Sequence, residues 1–175
     1  MRWTALLALL LIGCAGQSSV APPAGPAVAE FESVPGGVRL SFPASWEPVS
    51  DDTLLTLTPS DDASGGNRLK IEKPNLPPHI PGLIPLGAVA AGFVADLRQR
   101  YNDVEMADPT DVNLAGSAGK RITAVCQGNE LTTVTAILCV HGDAVYIIEA
   151  ETDAAHTAAA NEALDVIVRS WNWLE

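Results

Sequence analysis

The chain has 175 residues, with 10 lysines and arginines against 21 aspartates and glutamates, which gives a formal net charge of −11 at pH 7. This acidic balance disfavours nucleic acids and anionic lipid headgroups as partners, because both repel a negatively charged surface. The length is that of one domain with a buried core, once the N-terminal segments are set aside.

A short apolar run begins the chain and ends at a cysteine. Residues Trp3 to Ile12 are apolar except for Thr4, and Arg2 precedes them. A membrane-spanning helix needs about 20 apolar residues, so this run has the length of the hydrophobic part of a signal peptide. The alternatives are an uncleaved anchor and an ordinary secretory signal in which Cys14 is incidental.

The residues that close this run, Leu11-Ile12-Gly13-Cys14, resemble a bacterial lipobox. The resemblance implies that residues 1–13 are a lipoprotein signal peptide, cleaved between Gly13 and Cys14. It also implies that acylated Cys14 attaches the protein to membrane lipid, with two or more acyl chains giving stable anchoring. Ala15 resembles the outer-membrane pattern, so in a Gram-negative host we expect a cell-envelope protein anchored in the outer membrane and facing the periplasm.

Residues 14–34 are predicted to be a tether. The stretch from Gln17 to Ala29 is rich in Ser, Pro, Ala and Gly and has no periodic apolar pattern. Such a segment cannot bury enough apolar surface to offset its ordering entropy. We therefore assign residues 35–175 to a single folded domain.

Short strands followed by a helix are predicted in the first half of this domain. Alternating apolar and polar residues indicate strands at Val38–Phe42, Thr53–Thr58 and Arg68–Glu72. Five prolines between residues 74 and 85 exclude a helix and predict an apolar surface loop. A helix from Leu86 to Tyr101 is predicted next, because apolar residues recur there at helical spacing.

The second half is predicted to contain strands at Thr110–Leu114, Gly119–Cys126, Thr132–Val140 and Ala144–Glu151. The last three are joined by short turns, so they must be antiparallel. A final helix is predicted from Ala154 to Trp171, with Asp153 as its N-cap. The sequence therefore predicts an α+β domain in which two helices pack on an antiparallel sheet.

Three features together resemble the PsbP-like fold. They are the opening strand that ends in Phe42-Pro43 with Trp46, the run Val145-Tyr146-Ile147-Ile148-Glu149, and the closing helix with Leu164, Ile167, Ser170 and Trp171. The proline-rich loop before the first helix departs from the pattern. The resemblance implies a non-enzymatic protein that binds a partner or assists its assembly, and it carries over no catalytic residue.

Cys126 and Cys139 are predicted to be two separate thiols, at least one of them buried. Cys126 shares a strand face with Ile122 and Ala124, whereas Cys139 lies opposite to the apolar face of its own strand. If the two apolar faces coincide, the cysteines point to opposite sides of the sheet. They are also several residues apart along the hairpin, beyond the roughly 7 Å limit between the Cα atoms of a disulfide.

No residue pattern indicates catalysis, and we expect no metal, no cofactor and no enzymatic activity. None of the histidines, His79, His141 and His156, has a second ligand at metal-site spacing. Glu149 and Glu151 share one strand face, which places both carboxylates either toward a cleft or on an exposed sheet face or edge. Trp171 and Trp173 are interpreted as core and rim packing.

The function expected from the sequence is that of a membrane-anchored envelope lipoprotein that binds another envelope protein or helps it to assemble. The proline-rich loop and the outward face of the sheet are the expected contact surfaces. The alternative is a carrier of a small ligand or cation, with a pocket between the sheet and the helices.

Overall fold

The computed structural model describes residues 27–49, 54–62, 66–75 and 83–174. Gly13, Cys14 and residues 76–82 of the predicted proline-rich loop lie outside the described residues. The elements in chain order are β1 Val28–Ser33, β2 Val38–Pro43, β3 Trp46–Val49, β4 Leu55–Pro59, β5 Arg68–Glu72, α1 Leu86–Arg100, β6 Asp103–Met106, β7 Thr110–Leu114, β8 Ser117–Gln127, β9 Leu131–His141, β10 Ala144–Thr152, α2 Thr157–Ser170 and β11 Asn172–Trp173.

An antiparallel sheet of eight strands forms the centre of the described part. Its order is β3-β4-β5-β10-β9-β8-β6, and β7 also pairs with β8. The long strands β8, β9 and β10 form a meander in which Gly119 lies opposite Cys139, and Cys139 lies opposite Tyr146. The predicted α+β class, with two helices and an antiparallel sheet, is confirmed.

A smaller sheet joins the two ends of the described chain. Its order is β1-β2-β11, with Phe31 opposite Leu40 and Trp173 opposite Val38. The prediction of a tether to residue 34 is therefore wrong for β1. Alternate residues of this strand, including Phe31, pack against the core, and that burial holds it in the folded domain.

Each face of the large sheet has its own apolar core, because successive side chains of a strand point to opposite faces. On one face, α1 buries Phe93 and Leu97 against β8 and β9, in a cluster that contains Ile122, Ala124, Cys126, Val134, Ala136 and Leu138. On the other face, α2 buries Leu164 and Ile167 in a larger cluster that contains Cys139, Tyr146, Ile148 and most of the buried residues of β2, β4 and β5.

The two cysteines lie on opposite faces of the sheet, as predicted. Cys126 belongs to the α1 cluster and Cys139 to the α2 cluster, and both are buried free thiols. Burial raises the pKa of Cys139 to about 11. It also raises the pKa of Cys126.

The final helix begins three residues later than predicted, because Asp153 closes a turn that precedes it. The Asp153 carboxylate accepts a hydrogen bond from the backbone N–H of His156 at 2.9 Å. His156, not Asp153, then occupies the N-cap position of α2. At the other end, the Ser170 hydroxyl lies 2.8 Å from the Val166 carbonyl and accepts the N–H of Ser41, also at 2.8 Å.

The short strands β3, β6 and β11 were not predicted from the sequence. They contain four, four and two residues, which is too short for an alternating pattern to be recognised. Among the described residues, neither helix combines the length and apolar character needed to span a bilayer.

Candidate binding surface

Glu151 is a buried carboxylate that two arginines neutralise. Its side chain is 9% exposed and forms ion pairs with Arg68 and Arg100. The Arg68 Nε donates to Glu151 Oε2 at 2.6 Å, and the Tyr101 hydroxyl donates to Oε1 at 3.3 Å. These contacts join the end of α1 to β5 and β10.

Glu149 extends the same network. Its Oε1 atom lies 2.6 Å from a guanidinium nitrogen of Arg100, and Arg100 also pairs with Asp96 at 2.9 Å. Burial raises the pKa of Glu149, although the hydrogen bond from Arg100 opposes this shift. Burial also raises the pKa of Tyr101 to about 12, helped by the negative charge of Glu151.

The two carboxylates therefore face neither an empty cleft nor open solvent. Glu149 and Glu151 share one strand face, as predicted, but that face is partly buried against the end of α1. Their charges are matched by guanidinium groups at hydrogen-bonding distance, which is the arrangement of a structural ion-pair network.

The described histidines take part in local packing. The ring of His141 stacks on Trp173 with a centroid separation of 3.9 Å, and its Nδ1 atom lies 2.8 Å from the Ser117 hydroxyl. The His156 ring lies 2.9 Å from the Asp153 carboxylate. Across the described ranges, no group of three or more potential metal ligands comes together. His79 lies outside those ranges.

Trp171 and Trp173 provide core and rim packing, as predicted. Trp171 is buried in the α2 cluster, and Trp173 is half-buried at its edge. The rings of Trp171 and Trp173 meet edge to face at 5.4 Å, and Tyr146 packs against Trp173 at 4.9 Å. The indole nitrogen of Trp173 donates to the Ala115 carbonyl at 3.1 Å, which fixes the ring in the rim.

A cavity of about 450 Å³ lies where the β1–β2 turn meets the end of β5. Its lining includes Gly36, Leu54, Glu72 and Lys73. The alternative function inferred from the sequence requires a pocket between the sheet and the helices. This cavity is lined by turn and strand-end residues and by neither helix, so it lies in a different place.

A second concave region lies on the large sheet, and we call it the hairpin surface. It consists of Asp103 and Glu105 from β6, Val125 and Gln127 from β8, and Leu131 from β9, and it encloses about 260 Å³. In the strand register, Glu105 lies opposite Val125, and Gln127 lies opposite both Asp103 and Leu131. The five side chains therefore share one face of three adjacent strands.

The hairpin surface is apolar in its centre and acidic at its edge. Val125 and Leu131 are 40% and 55% exposed. Asp103 and Glu105 are exposed, and within the described ranges neither forms an ion pair. An apolar centre with a polar rim is the arrangement of protein-contact sites, and the hairpin surface has this arrangement on a small scale.

Helix α2 leaves this region of the sheet uncovered. It packs on β2, β10 and β7, and it reaches β8 through Arg121, whose guanidinium pairs with Asp165 at 2.8 Å. Val125 lies four residues farther along β8, toward the end of the hairpin. Val125 and Leu131 were not predicted as contact residues from the sequence. The signal was present, because Val125 falls between Ala124 and Cys126 and so faces away from their core.

Comparison with known proteins shows the fold but no family. No family model matches the chain, and no curated protein matches it. Among solved structures, the cyanobacterial PsbP (CyanoP) of Synechocystis sp. PCC 6803 is similar, with a TM-score of 0.61 and 12% identity, over 90% of this chain and 98% of that one. LpqN of Mycobacterium tuberculosis, which is involved in cell envelope biogenesis, matches with a TM-score of 0.62 and 15% identity, over 85% and 91%.

The Ran-binding protein MOG1P of Saccharomyces cerevisiae is similar as well. It matches with a TM-score of 0.57 and 12% identity, over 86% of this chain and 97% of that one. At such low identities the similarity establishes the fold alone. The chain thus has a PsbP-like α+β fold, as its sequence resemblance predicts.

Proposed function

We propose that this chain is a lipid-anchored, non-enzymatic protein of the bacterial cell envelope whose PsbP-like domain binds another protein through the hairpin surface. The observation that carries the proposal is the adjacent exposure of Val125 and Leu131 on a sheet face that α2 leaves open. Burying a fully exposed side chain of this kind contributes about 1.5–3 kcal/mol, and because Val125 and Leu131 are 40% and 55% exposed, each offers roughly half of that. The pair therefore offers enough apolar contact to form the centre of a small interface.

The similar proteins support a binding or assembly role. LpqN is involved in cell envelope biogenesis, and MOG1P binds Ran. The lipobox Leu11-Ile12-Gly13-Cys14 supports anchoring through acylated Cys14. In a Gram-negative host, Ala15 favours the outer membrane, with the domain facing the periplasm.

The anchor is tested by metabolic labelling with palmitate. We expect label on the wild-type chain and membrane fractionation, and we expect both to be lost in Cys14→Ser. A matched control is Cys126→Ser, which also removes one thiol and should keep the label. An unlabelled wild-type chain that fractionates as a free species would contradict the anchor.

The contact surface is tested by a photo-crosslinking amino acid placed at position 131 of the full chain in cells. We expect a discrete crosslinked species that is lost when Val125→Ser is added. A crosslinker at Val34, which is 73% exposed on the β1–β2 turn, is the matched control. Equal crosslinking from both positions, or none from position 131, would refute the hairpin surface as a contact site.

A further inference from the structure

The two edges of the large sheet differ in how they present their backbone. At one edge, β3 contains Pro48, which has no N–H group. The Ser60 N–H donates to the Ser45 carbonyl at 2.9 Å, so by antiparallel alternation Pro48 faces away from β4. This edge therefore lacks a donor at the position where an added strand would need one.

The opposite edge is formed by β6 and β7, which pair with different stretches of β8. Of these, β6 has no proline and presents its backbone outward. The Ala107 N–H donates to the Thr123 carbonyl at 3.0 Å. By the same alternation, Val104 and Met106 direct their N–H and C=O groups away from β8. The Val104 N–H donates to the carboxylate of Asp103 at 2.9 Å, and an added strand would replace this exposed local contact.

The charges on β6 restrict what can pair with it. Asp103 and Glu105 project on the face that carries Val125 and Leu131. Like charges placed opposite one another across strands are destabilising, so pairing with a second copy of this edge is disfavoured. Lysine or arginine at the opposing positions is favoured, because opposite charges facing one another across strands are stabilising.

The other face of β6 selects apolar residues. Val104 and Met106 are half-buried and pack against the α1 cluster. Side chains of an added strand on that face would extend this cluster. The occupant defined by the two faces is therefore an extended segment in which basic and apolar residues alternate.

We propose that β6 accepts such a segment of the partner protein as an added strand, with its basic side chains beside Asp103 and Glu105. This inference rests on the proposed function, since it names the chemistry of the partner at the same surface. The binding mode is strand addition at β6, and the added segment is positively charged.

The test measures fluorescence anisotropy of a labelled, alternating lysine–valine peptide with the full chain in detergent. We expect saturable binding that is about fivefold weaker for Glu105→Lys. Glu47→Lys is the matched control, because it reverses an exposed charge on β3 at the other edge. A glutamate–valine peptide should not bind.

A second peptide tests strand addition separately from charge. The same lysine–valine sequence with alternate backbone amides N-methylated keeps its charges but loses ladder donors, so it should bind at least tenfold more weakly. Equal binding of the methylated peptide would overturn strand addition. Equal weakening by Glu47→Lys and Glu105→Lys would show only general attraction to an acidic protein and would also overturn the inference.

Failure of this inference is distinguishable from failure of the proposed function. If the crosslink from position 131 persists in Glu105→Lys while the peptide does not bind, the surface contacts a protein by another mode. If the crosslink is absent from the wild type, the proposed function itself fails, whatever the peptide does.

Discussion

Replacing Glu151 by glutamine tests whether the arginine–glutamate network stabilises the fold. The substitution keeps the shape of the side chain but removes the charge that Arg68 and Arg100 share. Removing one partner of a buried ion pair costs about 3–5 kcal/mol. The side chains of Arg68 and Arg100 are 43% and 31% exposed, so water compensates part of this loss, and we expect about 2 kcal/mol.

Urea unfolding of the full chain, followed by tryptophan fluorescence, measures this loss as a lower midpoint at an unchanged slope. The melting temperature should fall by about 4–8 °C. Glu162→Gln is the control, because Glu162 is exposed on α2 and forms no ion pair in the described ranges. If Glu151→Gln changes stability by less than about 0.5 kcal/mol, or no more than this control, the network does not stabilise the fold.

Three further predictions concern packing and pH. Gly119→Ala should destabilise the protein by about 1–3 kcal/mol, since the added Cβ would lie 2.8 Å from the Leu138 carbonyl oxygen; normal stability in urea would contradict this contact. Leu164→Ala should cost about 2–5 kcal/mol, because Leu164 is fully buried; a smaller loss would mean that the α2 cluster collapses around the vacancy. The hydrogen bond to Asp153 raises the pKa of His156, so its contribution to stability is complete below the ordinary pKa of histidine and is lost as the pH rises through the raised value. NMR titration should show the His156 pKa falling in Asp153→Asn, and an unchanged pKa would refute the pairing.

The sequence predicted the elements whose pattern is long and local. The meander of β8, β9 and β10 and the helix α1 were found because each contains many residues of one period. β1 was missed because its residues resemble those of the preceding low-complexity stretch, although Phe31 packs on the core. β3 and β6 are four-residue edge strands, whose pairing depends on neighbours that are distant in sequence.

The arginine–glutamate network and the hairpin surface could each be predicted only in part. Strand alternation placed Glu149 and Glu151 on one face, but Arg68 and Arg100 lie 83 and 51 residues away from Glu151. Their approach depends on the order of strands in the sheet, which no local pattern encodes. The side of the sheet on which Val125 lies follows from the alternation of side chains along β8. The open space above Val125 depends on where the contact of α2 with the sheet ends, which the alternation does not encode.

Because the two buried cysteines lie on opposite faces of the sheet, their reactivities report separately on the opening of each face. Cys126 belongs to the α1 cluster on one face of the sheet and Cys139 to the α2 cluster on the other, so a thiol reagent reaches each one only when the packing on its own face opens. Mass spectrometry of the two alkylated peptides would give the alkylation rates of Cys126 and Cys139 independently in one experiment. Their ratio would show which face of the sheet opens first, with no engineered probe.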